Sequence, residues 1–342
     1  MTDPTQYLDV ADFTLSSGRK LLARIAYVTL GTLNEARNNA VLVTHGFTSS
    51  HRFILPGSSA AEGSWSELVG PGRAIDTDRY FVICSNALGS SYGTTGPRDT
   101  DQETGKPFGA DFPAISFADI ASLQHTLLQA MGVIRLHAVV GVSMGGFQAW
   151  QWAIQYPHAV EGVGVVLATF SPSRVASALQ ETLAADPSWN GGHPASGAML
   201  PMMTRMRLAT LKRYGMESWL AARGLTPGEI EKELLAQCES WAREFDPCSL
   251  LVLRRAMDDF DARPSLSGIH ASVLLVLSTT DVFFPASAGP GMLDDLRGNN
   301  VRAVFQPIES IYGHLASGLD WQRWSDALKK FIETAPPSTA RH

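Results

Sequence analysis

Short apolar runs rich in β-branched residues recur along this chain, and between them apolar positions return every three or four residues. The first pattern predicts strands at 25–29 (IAYVT), 40–44 (AVLVT), 80–84 (YFVIC), 137–141 (HAVVG), 163–167 (VGVVL), 272–277 (SVLLVL) and 301–305 (VRAVF). The second predicts helices at 117–131, 145–156 and 317–332. Such alternation builds an α/β fold: a mostly parallel sheet with helices on both faces. From 171 to 261 the rhythm changes. LKRYGMESWL (211–220) and EIEKELLAQC (229–238) are amphipathic, and nothing in this segment reads as a strand. An all-helical insertion between two strands predicts a cap over the C-terminal edge of the sheet, where open α/β sheets bind ligands. The expected organisation is core (1–170), helical cap (171–261) and core again (262–342). Small polar residues before about position 9, and the pair Pro336 and Pro337 beyond 334, predict loose ends.

The stretch VGVSMGGFQAW (140–150) sets Ser143 inside G-x-S-x-G, after a predicted strand and before a predicted helix. That setting can thrust a serine hydroxyl into a pocket as a nucleophile, although the same letters also serve an ordinary turn. Serine then needs a base within hydrogen-bond reach and an acid that orients the base. In this topology the acid follows a later strand, and the histidine a still later one. Asp281 lies in STTDVFFP (278–285), after the strand at 272–277, and His314 lies in YGHLAS (312–317), after the strand at 301–305. Taken singly, Asp281 reads equally as a turn or capping residue and His314 as an exposed loop histidine. Their order after Ser143 makes the three a candidate triad. Asp258, Asp259 and Asp261 read instead as a solvated helix face and His137 as structural, while His45 precedes Ser143, against the expected order. Two backbone N–H groups should stabilise the developing oxyanion. Met144, next to the nucleophile, and Phe47, in the loop HGFT (45–48), are the expected donors.

Composition narrows the partners. The chain has 342 residues, 45% apolar, enough for one large domain or two ordinary ones. A net charge of −6 without runs of like charge disfavours nucleic acid or an anionic membrane and points to a small-molecule substrate. Cys84, Cys238 and Cys248 are an odd number without C-x-x-C spacing, which suggests neither a disulfide framework nor a zinc site and fits a cytoplasmic location. MTDPTQYLDV at the N-terminus lacks a signal-peptide pattern, and no long apolar run occurs, so secretion and membrane insertion are disfavoured. Without a metal-ligand cluster or a dinucleotide fingerprint, no metal and no cofactor are expected.

More specific pieces are YVTLGTLN (27–34), NAVLVTHGFT (39–48), LVGPGRAIDTDRYFVICSNALG (68–89), GTTGP (93–97), TGKPF (104–108) and GVSMGG (141–146). Within the insertion come DPSWNGG (186–192), FDPCSLL (245–251) and AMDDFD (256–261). Through this ordered set the chain resembles, over residues 13–332, the homoserine O-acetyltransferases of the α/β-hydrolase superfamily. The resemblance implies a ping-pong reaction in which Ser143 takes an acyl group from acyl-CoA and an alcohol then attacks the acyl-enzyme. It implies that His314 deprotonates the serine and later the alcohol, that Asp281 orients and charge-stabilises the imidazole, and that acetyl-CoA is a co-substrate if the enzyme is a transferase. It also implies a cap arginine for the substrate carboxylate, with Arg205 in PMMTRMR (201–207) the best match and Arg207 the less favoured neighbour; Arg205 reads equally as a solvated helix residue. A homodimer using the cap is a further implication.

The sequence departs from that family directly after the histidine. There the resemblance leads one to expect an aspartate that meets the substrate ammonium, and this chain has Leu315. An ammonium buried beside leucine without a counter-charge costs several kcal/mol. The loop HGFTSS (45–50) also differs from the alanine-leucine and threonine-glycine that the family commonly shows. These departures predict acyl-transfer machinery without the amino-acid acceptor site, and hence carboxyl-ester hydrolysis. An O-acyltransferase acting on an alcohol, homoserine or a relative, is the alternative. A non-catalytic scaffold would have no need of all three triad residues.

Overall fold

Eight strands form one sheet in the order β1-β2-β6-β3-β7-β8-β9-β10, in a computed structural model that describes residues 3–172 and 178–334. In chain order the strands are β1 (Gln6–Thr14), β2 (Lys20–Leu30), β3 (Ala40–Thr44), a two-residue pair β4 (Val69–Gly70) and β5 (Ile75–Asp76) outside the main sheet, β6 (Phe81–Ser85), β7 (Leu136–Val142), β8 (Val160–Val166), β9 (Ser272–Ser278) and β10 (Ala303–Ile308). From β6 to β10 all neighbours are parallel, while β1 and β2 join antiparallel at one edge. The expected mostly parallel α/β sheet is therefore present, with the α/β-hydrolase fold. Alternate residues of each strand reach opposite faces. Leu42, Val139 and Leu275 enter the core beneath α1 (Phe117–Ala130) and α2 (Met144–Gln155), whereas Val41, Val43, Val140 and Val276 face Trp65, Trp324 and Phe331. Burial on both faces explains why these strands read as continuous apolar runs.

Between β8 and β9 lie α3 (Leu179–Ala184), α4 (Leu200–Tyr214), α5 (Met216–Ala222), α6 (Pro227–Glu244) and α7 (Pro247–Asp258), with no strand among the described residues of this segment. Starts are marked by side-chain caps: Thr226 and Glu229 form a capping box on α6, and Asp246 accepts from Cys248 and Ser249 at α7. The chain ends in α8 (Gly289–Gly298), α9 (Ala316–Leu319) and α10 (Ser325–Thr334).

Two expectations need correction. The N-terminal segment is not loose from residue 6: β1 pairs with β2 along its length, held by backbone bonds although its side chains are largely exposed. The helix expected at 317–332 is broken between α9 and α10. Trp324 is buried and donates to the Ser317 carbonyl at 2.8 Å, while Trp65 donates to Ser317 Oγ at 3.1 Å, so indole packing overrides the helical period there. Pro336 and Pro337 lie outside the described residues. Among those described, no helix is long and apolar enough to cross a membrane.

Candidate active site

Ser143 sits between β7 and α2 with φ 56° and ψ −120°, a conformation that costs a non-glycine residue about 1–3 kcal/mol. The surrounding chain holds it there. Its N–H donates to Val166 O, and its carbonyl accepts from Gly146 N–H, both at 2.8 Å. A Cβ on Gly141 would collide with Gly145 O and Thr44 Oγ1, and one on Gly145 with Thr44 O. These glycines therefore let α2 start directly against β3, where Thr44 Oγ1 donates to Gly145 O at 2.9 Å.

Asp281 follows β9 and His314 stands in a 3-10 turn, Gly313–Leu315, after β10. His314 Nε2 is 2.9 Å from Ser143 Oγ, and its Nδ1 is 2.7 Å from Asp281 Oδ2. Asp281 Oδ1 accepts the Phe283 N–H at 2.8 Å, so both carboxylate oxygens are directed. Burial pushes the Asp281 carboxyl up, but the His314 ring and the Phe283 and Phe284 amides outweigh it, leaving the carboxyl below its ordinary value. Three aromatic rings enclose the imidazole: Tyr214, Phe283 and Phe284, with centroids at 4.8, 5.3 and 5.8 Å.

The loop after β3 passes close to this group. A Cβ on Gly46 would lie 3.8 Å from Ser143 Cβ, and Phe47 lines the same small cavity as Ser143 and His314. Among the described residues, neither the Phe47 N–H nor the Met144 N–H donates to a protein acceptor. Unpaired amides at the start of α2 and in the adjoining loop are suited to an oxyanion.

The arginines require a correction. Arg205 is exposed on α4, with Met202 Sδ 3.9 Å from its Nη2. Arg207, two residues on, faces inward and is buried: its Nη1 donates to Thr48 Oγ1 at 2.6 Å, its Nη2 to Ala61 O at 2.9 Å, and it lies over Trp241. Helical period decides between them, since the α4 residues Met203, Arg207 and Leu211, four apart, are all buried. Leu315 is buried against Ala61, Leu211, Met216 and Leu220 and forms part of the cavity wall. The cavity measures about 30 Å³. A much larger one, about 1160 Å³, runs between the insertion and the loop carrying Lys106, but no triad residue lines it.

His45 is buried, with Nδ1 2.8 Å from Gly46 O and Nε2 accepting from Ala87 N–H at 3.0 Å, and His137 binds Ile332 O at 2.6 Å; both are structural. Asp258 and Asp261 pair with Arg254 and Arg263, away from the site. Sequence reading singled out neither Tyr214 nor Glu62 as site residues, although both line the cavity. No motif marks them, since each reaches the site through helix packing.

A parallel sheet with a strained serine between strand and helix, hydrogen-bonded to a histidine–aspartate pair, defines an α/β hydrolase. Residues 39–201 match the family model described as alpha/beta hydrolase fold. The homoserine O-acetyltransferase of Rhodopseudomonas palustris is 35% identical over 93% of this chain and 86% of its own length. The crystal structure of homoserine O-acetyltransferase from Bacillus anthracis superposes with a TM-score of 0.82 at 29% identity, covering 96% of this chain and 97% of that one. A solved esterase gives a TM-score of 0.84 at 25% identity, covering 96% and 99%. The chain belongs to the homoserine O-acetyltransferase family of α/β hydrolases.

Proposed function

We propose that this protein hydrolyses short-chain carboxyl esters through an acyl-serine intermediate, in the cytoplasm and without a metal or bound cofactor. Ser143 Oγ attacks the ester carbonyl and its proton passes to His314 Nε2. Asp281 steadies the imidazolium, and the Phe47 and Met144 amides receive the oxyanion. The alcohol leaves with the proton from His314. Water then attacks the acyl-serine by the reverse sequence, releasing the acid.

The observation that carries this reading is the wall at Leu315. Its side chain is buried in an apolar cluster, where a carboxylate would be needed to hold the ammonium of an amino-acid acceptor.

The names of the relatives favour a second reading, O-acetyl transfer from acetyl-CoA to homoserine or a similar alcohol, with a homodimer as the working unit. Purified protein and Ser143→Ala should be given an aryl acetate, then acetyl-CoA with and without homoserine. Ser143-dependent ester cleavage that outpaces acetyl-CoA use supports hydrolysis. Faster formation of O-acetylhomoserine would establish the transferase instead.

A further inference from the structure

The turn that carries the Phe47 amide is held from two sides. Ser49 N–H closes it on Gly46 O at 3.2 Å, and the His45 ring fixes the same carbonyl through Nδ1 at 2.8 Å. These bonds anchor the end that follows β3. The other end depends on the helical insertion. Trp241 of α6 donates its indole Nε1–H to Thr48 O at 3.2 Å, and Arg207 of α4 donates to the Thr48 hydroxyl at 2.6 Å. Both side-chain hydrogen bonds to Thr48 among the described residues therefore come from the insertion.

Trp241 is itself held firmly. Its indole is buried, stacked on Phe245 with centroids 5.0 Å apart and planes 18° apart, and the Arg207 guanidinium lies 4.9 Å from its ring. Phe245 is fully buried and meets the Tyr92 ring edge-on at 5.8 Å. Arg207 reaches only the hydroxyl of Thr48, so the indole is what acts on its main chain. Thr48 directly follows Phe47, and slackening of the turn at Thr48 would swing the Phe47 N–H off the line to the reacting oxygen. An oxyanion donor works only when it is aimed beforehand, about 3 Å from where the oxygen will stand.

We infer that Trp241 is a positioning residue of the oxyanion site: through Thr48 it aims the Phe47 amide, and the helical insertion thereby takes part in the chemical step. This rests on the acyl-serine reading above. It holds with water or an alcohol as acceptor, because formation and breakdown of the acyl-serine both pass through an oxyanion.

Trp241→Phe tests the inference, since it keeps a ring between Phe245 and Arg207 and removes the N–H. Variant and wild type are given an aryl acetate and inhibited with trifluoroacetone. The ketone carbon takes a bond from Ser143 Oγ, the serine proton passes to His314, and the carbonyl electron pair becomes the oxyanion. Trp241→Phe should lower kcat about tenfold, a fraction of the roughly 10²–10³ that outright loss of an oxyanion donor costs. Inhibition should weaken by about the same factor while KM stays within about twofold, as for an interaction made only in the transition state. The pH profile of kcat/KM should not move, because His314 keeps its bonds to Ser143 and Asp281. A benzothienyl side chain at position 241, with sulfur in place of the N–H and the ring shape kept, should behave likewise and decides alone if Trp241→Phe does not fold. An unchanged kcat, or a fall in kcat without matching loss of inhibition, overturns the inference. So does a rise in KM alone, the mark of a merely structural insertion. A wild type that trifluoroacetone does not inhibit, or turnover that persists in Ser143→Ala, would overturn the acyl-serine reading, and the inference with it, before Trp241 is changed.

Discussion

Arg207, on α4 of the helical insertion, donates from Nη1 to Thr48 Oγ1 at 2.6 Å, on the loop that carries Phe47. One guanidinium thus ties the insertion to the loop that supplies a proposed oxyanion donor, and its second bond, to Ala61 O, holds the turn that carries Glu62. Truncating it would leave two buried acceptors unsatisfied and empty the space over Trp241. Arg207→Ala should therefore cost about 2–4 kcal/mol and lower kcat about tenfold or more as the loop loosens. Arg205→Ala, at an exposed position, should stay within about 0.5 kcal/mol. Urea unfolding of both variants decides: equal effects would mean that the guanidinium of Arg207 is no strut.

Asp281 offers a cleaner separation of orientation from folding. Asp281→Asn keeps the volume and can still accept the Phe283 N–H, but favours the wrong imidazole tautomer. The expected loss is about 10⁴-fold in kcat with little change in the unfolding midpoint. Steady-state kinetics on an aryl acetate provide the check, and a loss below about tenfold would remove Asp281 from the proposed triad.

Much of this site was legible because strand order and loop position are set by topology, and topology is written in the apolar runs. Ser143, Asp281 and His314 could be chosen from 342 residues for that reason, without any contact being known. Arg207 was the harder choice. Its stretch, PMMTRMR, holds two arginines separated by about 200° of helix, and only the packing of Met203 and Leu211 tells which one faces inward. Glu62 and Tyr214 had no signal at all. Each reaches the cavity because separate elements meet there: a Cβ on Gly313 would lie 2.9 Å from Tyr214 O, and one on Gly215 as close to the Tyr312 backbone. Such interlocking is a tertiary fact that local pattern does not encode. The broken helix after His314 has the same origin, in two indoles converging on Ser317.

Acid should unfold the protein by way of two buried histidines. Burial pulls the His45 pKa down to about 4, against a smaller opposing effect of the Gly46 carbonyl. Burial likewise pulls His51 down to about 3, helped by the charges of His45 and Arg52. In the unfolded chain both rings take up protons near pH 6.5. Between pH 6.5 and about 4 the unfolded state therefore binds more protons, so stability falls as pH drops through this window and is insensitive to these groups above it. The full effect is on the order of 3 kcal/mol for His45 and about 5 kcal/mol for His51, whose window extends to about pH 3. Urea midpoints at pH 8, 7, 6 and 5 should be level at first and then decline. A level series down to pH 5 would show that neither ring is held neutral by folding.

The proposed role of Leu315 in separating hydrolysis from transfer is tested directly by exchanging it for aspartate. Leu315→Asp places a carboxyl among Ala61, Leu211, Met216 and Leu220, so the variant should lose about 2–4 kcal/mol of stability. The same carboxyl would stand beside His314, on the wall of the cavity, where an acceptor ammonium could pair with it. Ser143-dependent transfer from acetyl-CoA to homoserine should therefore rise at least tenfold relative to hydrolysis, as one new charge-assisted contact would give. Product analysis in one pot, with homoserine and water competing for the same acyl-serine, reads the ratio without reference to expression level or to partial unfolding. A wild type that already acylates homoserine faster than it hydrolyses would show that Leu315 marks no loss. A variant that folds yet leaves the ratio unchanged would place the acceptor ammonium elsewhere in the cavity, with Glu62, which lines it, the carboxylate to examine next.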